Sequence, residues 1–209
     1  MTKKERAKAF FEILQTLYPD AQCSLIYDTP LQLLIATQLS AQCTDARVNI
    51  VTQTLFKKYP DVYAFANASL KELEEDIRPT GFYHNKAKNI IGCCQRLIDE
   101  FGGEVPDNME DMLTLDGVGR KTANLVLGDI FGKGGMVIDT HAKRILYRVG
   151  LTKETLPEKV ERDTENLLPR EVHSDFCHRL VLHGRALCMA RNPKCAVCPA
   201  CDTCKKCGI

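Results

Sequence analysis

The stretch that decides the fold is LDGVGRKTANLVLGDIFG, Leu115 to Gly132. A tight turn, Gly117, Val118 and Gly119, runs straight into a segment whose apolar residues recur at helical spacing. With no side chain on either glycine, the N–H groups at that helix start can point outward, a geometry that binds phosphate. The run GRKT superficially resembles the end of a nucleotide P-loop. That reading fails because Arg120 separates Gly119 from Lys121, where the motif needs Gly and Lys adjacent, and because no apolar strand precedes the turn.

Working outward, the periodicity stays helical. Phe10, Phe11, Leu14, Leu17 and Tyr18 form one stripe of a first helix that stops near Pro19. LQLLIATQLS from Leu31 is apolar enough to be buried on most sides, and TDARVNIVTQTLFKKY from Thr44 is amphipathic. Ser69 with Glu72, and Thr155 with Glu158, have the spacing of capping boxes. NKAKNIIGCCQRLIDEFGG from Asn85 ends at Gly102 and Gly103, residues that tolerate the φ > 0 of a helix C-terminus. No period-two alternation is long enough for a sheet, so the expected fold class is all-α. FGKGGM, with three glycines, is the best candidate hinge between two strongly helical regions.

At 209 residues with 44% hydrophobic content, the chain can bury a real core. Its start, MTKKERAKAF, is charged and lacks the apolar core of a signal peptide, and no run approaches the ~18 apolar residues of a membrane span. The expectation is a soluble, unprocessed, cytoplasmic protein with no membrane partner. The net charge is only +1, yet Arg179 to Ile209 carries six Lys or Arg against one acid, and Asp99 to Asp111 carries six carboxylates and no base. Such asymmetry fits a polyanion met by one face, and fits solvated charge on unrelated surfaces as well.

Eleven cysteines argue against a disulfide framework in a cytosolic chain, since the count is odd and thiols there are kept reduced. Metal ligation is the favoured use of the terminal group, the six cysteines from Cys188 to Cys207. Four thiolates suit iron–sulfur and zinc alike. Cys23, Cys43, Cys93, Cys94 and Cys177 read as small buried residues.

Eighteen residues beyond Lys121, VIDTHAKR places Asp139 after a short apolar segment, with Thr140 and His141 opening the next helix. LDGVGRKTANLVL followed by VIDTHAKR resembles the helix-hairpin-helix and the aspartate-bearing loop of the endonuclease III family of DNA glycosylases. The cysteine spacing matches the family's iron–sulfur pattern, and LSAQCTD (Leu39–Asp45) and GFYHNKAKNI (Gly81–Ile90) resemble family segments that face DNA. The resemblance runs from about residue 5 to the last cysteines.

The resemblance implies two helical domains with DNA in the cleft between them: residues 22–133 with the hairpin, and residues 1–21 plus 134–209 with the cluster. It implies one [4Fe-4S] cluster on Cys188, Cys195, Cys198 and Cys204, holding rigid a loop whose Arg191 and Lys194 meet phosphate. It implies a monomer acting on double-stranded DNA that contains damaged pyrimidines or abasic sites, nucleoid-associated if bacterial. Lys121 would attack C1′ and form a Schiff base, Asp139 would stabilise the sugar cation, and β-elimination would break the strand. Asp139 also suits a helix N-cap. Gln42 would fill the vacated stack and Phe82, where the family usually has leucine, would wedge the opposite strand. Gly117, Val118, Gly119, Arg120, His141 and Arg144 complete the expected DNA contacts. Two rivals stand beside this reading. One is a monofunctional, adenine-specific mismatch glycosylase, whose known members lack the lysine. The other is a non-catalytic hairpin module with a zinc-bound tail.

Overall fold

The computed structural model describes all residues, 1–209, and is helical throughout, with no strand. Eleven α-helices run in order: α1 (Lys3–Leu17), α2 (Pro30–Leu39), α3 (Asp45–Lys58), α4 (Val62–Ala66), α5 (Leu70–Ile77), α6 (Tyr83–Phe101), α7 (Met109–Met112), α8 (Arg120–Phe131), α9 (Thr140–Val149), α10 (Pro157–Thr164) and α11 (His173–Ala186). Three short 3-10 turns, Arg78–Thr80, Arg170–Val172 and Cys195–Val197, interrupt the connections. No helix is long and apolar enough to cross a membrane.

The chain divides into two compact units, one of residues Cys23–Phe131 and one of Met1–Gln22 with Gly132–Ile209. The first is built around α2, in which every side chain from Leu33 to Leu39 is buried. Around it close Leu55 of α3, Phe65 of α4, Leu73 and Ile77 of α5, Ile90 and Leu97 of α6, and Val126 of α8. In the second unit, Phe10 and Phe11 of α1 meet the Phe176 ring of α11 edge-on, with centroids 6.3 and 5.4 Å apart. The apolar stripe of α9, Ile145, Leu146 and Val149, is fully buried, and α9 packs on α11.

Helix ends obey local chemistry, with corrections to the expected caps. Ser69 makes no side-chain capping bond, and the Glu72 carboxylate pairs instead with Lys58 Nζ at 2.7 Å. Nor does Thr155 cap α10, which starts at Pro157 with Leu156 at the cap, as a proline with no N–H to satisfy favours. A true capping box forms instead at the start of α1, between Thr2 and Glu5. The α6 helix begins at Tyr83, two residues earlier than the sequence suggests, and ends on left-handed Gly102. Cys23 and Cys43 are half-exposed, not buried as expected; Cys93, Cys94 and Cys177 are buried. Burial pushes the Cys23 and Cys93 thiols up to about 12.

Candidate active site and cysteine loop

The hairpin joins the single turn of α7 to α8, and α6 is its platform. Gly117 has φ +74°, and a Cβ there would stand 2.8 Å from Asn89 Cβ, so both backbone and space demand glycine. Gly92 leaves room for the Asp116 carboxylate, and the Arg96 guanidinium donates to the Thr114 carbonyl. Asn89, Gly92 and Arg96 lie three and four residues apart, on one face of α6. Val118 is buried and its N–H donates to the Leu115 carbonyl at 3.1 Å. A Cβ on Gly119 would meet nothing within 4 Å, so the main chain is open to approach from outside. Arg120 and Lys121 open α8 directly after the turn and are both exposed.

Gln42 and Phe82 sit in the same unit, in two short loops. Both are exposed and both have left-handed backbone, φ 54° and 51°. Phe82 is 63% exposed, so it is no core aromatic. Holding a non-glycine residue there costs roughly 1–2 kcal/mol, a strain that persists where the flanks are fixed.

In the second unit Asp139 is the N-cap of α9: its Oδ1 accepts the Ala142 N–H at 2.7 Å. That bond fixes the carboxylate. The preceding Met136–Ile138 segment is buried without regular structure, and the Val137 N–H donates to the Cys177 Sγ at 3.2 Å. His141 is half-buried, and its pKa is lowered by desolvation, then by the charges of Arg144 and Arg185, against the pull of Asp139. Arg144, expected at phosphate, is turned inward. Its guanidinium donates to the Cys188 carbonyl at 3.0 and 3.1 Å, to Gly184 at 3.3 Å and to Thr140 at 3.2 Å.

One turn on, the buried Arg148 donates to the carbonyls of Met189 at 2.6 Å and Ala190 at 3.0 Å, while one of its terminal nitrogens lies 3.5 Å from the Cys188 Sγ. Its own carbonyl accepts from the Cys204 thiol and the Cys207 N–H. Sequence reasoning missed Arg148. The signal was there: two arginines four apart, interleaved with the apolar stripe of a short helix. Arg191 and Lys194 are exposed on the loop those arginines hold.

Five thiols, Cys188, Cys195, Cys198, Cys201 and Cys204, line one pocket with Phe10, Ile145, Val149 and Leu187. None of the eleven cysteines is in a disulfide. Burial raises the Cys198 and Cys204 thiols, and the neighbouring charges of Cys188 and Cys195 raise both further. A cationic centre among them reverses that balance. Soft thiols around an apolar pocket fit a thiolate-bound metal group, iron–sulfur or zinc.

Comparison with known proteins now decides the family. The model for the HhH-GPD superfamily of base excision DNA repair proteins matches residues 35–170. A protein of Synechocystis sp. named Endonuclease III is 52% identical over 204 residues, 97% of this chain and 93% of its own. The chain belongs to the endonuclease III family. A solved structure described as a non-covalent endonuclease III–DNA complex shares 40% identity at a TM-score of 0.92, covering 99% of this chain and 97% of the other. A second, a trapped endonuclease III–DNA covalent intermediate, has the same identity, TM-score and coverage. The all-helical architecture is thus that of endonuclease III.

Proposed function

We propose that this chain is a DNA glycosylase and abasic-site lyase of base excision repair, removing oxidised pyrimidines and then cutting the strand 3′ to the abasic site. The observation that carries the reading is an exposed lysine one residue inside a helix whose glycine turn leaves its backbone open, in a chain 40% identical to an endonuclease III trapped covalently on DNA.

The Lys121 amine attacks C1′ of the damaged nucleotide, the C1′–N bond breaks, and the base leaves with its electron pair. Sugar ring opening yields an iminium at C1′. That iminium acidifies the C2′ proton, whose removal expels the 3′ phosphate; an oxygen nucleophile could not provide this second step. The Asp139 carboxylate, held by its bond to Ala142 N–H, stabilises positive charge developing on the sugar. Duplex bases are beyond reach, so the nucleotide is flipped out. Gln42 fills the space left and Phe82 enters beside the unpaired base. The main chain of Gly117 to Gly119, with Arg120, takes phosphate. His141 contributes a hydrogen bond at phosphate, and Arg144 acts through the cysteine loop it holds.

Cys188, Cys195, Cys198 and Cys204 hold one [4Fe-4S] cluster, which when bound supplies a four-thiolate cross-link of the C-terminal chain. Arg144 and Arg148 fix the entry to that loop, and Arg191 and Lys194 are presented to the DNA backbone. The protein acts as a cytoplasmic monomer.

Borohydride reduction of the protein mixed with a duplex bearing one oxidised pyrimidine tests this. The expected product is a covalent protein–DNA adduct. Tight binding without an adduct would replace this reading with a monofunctional or non-catalytic one.

A further inference from the structure

Lys86 is a buried charge that the proposed reaction does not use. It is 6% exposed, on the buried stripe of α6 with Ala87, Ile90 and Cys93. Its ammonium donates to two main-chain carbonyls, Leu39 at 2.8 Å and Thr80 at 2.9 Å. Leu39 is the last residue of α2, and Thr80 the last of the Arg78–Thr80 turn. Carbonyls at helix ends lack partners of their own and lie at the negative pole of the helix dipole. One ammonium therefore satisfies two helix ends at once, and its burial lowers its pKa. A methionine would fill the slot without dehydrating a charge, but would leave both carbonyls buried and unpaired.

The neighbours of the two carbonyls give the arrangement its meaning. Gln42 lies three residues beyond Leu39, and Phe82 two residues beyond Thr80. The chain has only four non-glycine residues with positive φ, and these are two of them. Each strained residue is thus held within three residues by the same ammonium.

We propose that Lys86 is a positioning residue: by clamping the carbonyls of Leu39 and Thr80 it fixes the spacing of Gln42 and Phe82, so that both enter the duplex together. The inference rests on the roles proposed for those two side chains in base flipping.

The test is a mutant cycle on single-turnover excision from an oxidised-pyrimidine duplex, with 2-aminopurine beside the lesion reporting unstacking. Lys86→Met is expected to slow excision by about 10- to 100-fold, the scale on which small misplacements act. Lys86→Arg, which keeps the donors, should recover most of the loss. In a Gln42→Ala, Phe82→Ala background, Lys86→Met should add almost nothing, because its effect is routed through the two absent side chains. Should Lys86→Met not fold, Lys86→Gln serves in the same cycle. Additive losses, or a Lys86→Met protein as fast as the parent, would overturn the clamp alone. If Gln42→Ala, Phe82→Ala itself leaves excision and unstacking unchanged, the roles of Gln42 and Phe82 fall, and the clamp with them.

Discussion

The hairpin of the first unit and the cysteine loop of the second are stabilised by different means. The hairpin is set on a half-buried helix face: Asn89, Gly92 and Arg96 of α6 receive it, and the same helix faces a continuous apolar core. The cysteine loop lies against Phe10, Ile145, Val149 and Leu187, but its main chain is set by polar contacts. Two arginines of α9 hold its carbonyls, and five of its cysteines line one pocket. Helix-face packing and the Arg96 hydrogen bond set the first, whereas arginine hydrogen bonds to main-chain carbonyls set the entry to the second. Strain divides the same way, with Gln42 and Phe82 in the loops of the first unit and Asn192 and Lys206 in the cysteine tail.

The sharpest way to break this contrast is at Lys121. Lys121→Ala should abolish the borohydride adduct and strand cleavage while binding abasic duplex nearly as well as the parent; elimination surviving in this variant would end the Schiff-base reading. Next comes the cysteine loop. Cys195→Ser should yield colourless, poorly folded protein, without absorbance at roughly 400 nm where thiolate-bound iron–sulfur absorbs and closed-shell zinc does not. Cys201→Ser should keep both colour and iron; the reverse pattern would reassign the ligands.

Asp139 separates a structural duty from a chemical one. Asn caps helices as well as Asp, so Asp139→Asn should melt like the parent while excision falls by about 100-fold or more, the scale of losing one preorganised charge contact. Asp139→Ala should lose that activity and about 1 kcal/mol of stability besides. Equal activity in Asn and parent would leave Asp139 as a cap only. The smallest effects belong to the glycines. Gly117→Ala should cost roughly 1–2 kcal/mol from its backbone conformation, with Asn89 displaced in addition. Gly119→Ala should melt unchanged yet bind DNA several-fold more weakly. A Gly119→Ala protein with parental affinity would mean that DNA does not approach the turn.

Much of the fold and the site was legible because it is written in local spacing. Glycines at 117 and 119 announce a turn whatever surrounds them, and the cysteine intervals carry their own count. Of the capping boxes, the carboxylate of Glu72 found a partner in space, Lys58 on another helix, and Thr155 was bypassed because α10 starts at Pro157. The internal bonds of Arg144 were illegible for a similar reason. Its acceptors are carbonyls some forty residues further along, which no side-chain pattern records. Lys86 left a trace that went unread: a lysine standing on the apolar stripe of a helix, in line with Ile90, Cys93 and Leu97.

That one helix, α6, begins directly after Phe82 and carries Lys86, Asn89, Gly92 and Arg96 along its length. At about 1.5 Å per residue, the span from Phe82 to Arg96 is a rod of about 21 Å. Every attachment on it depends on angular phase. Removing one residue from its middle would turn the whole C-terminal half of the rod by about 100°, parting the hairpin from its platform while leaving Phe82 in place. Substitution can retune this helix position by position, but its length is effectively frozen.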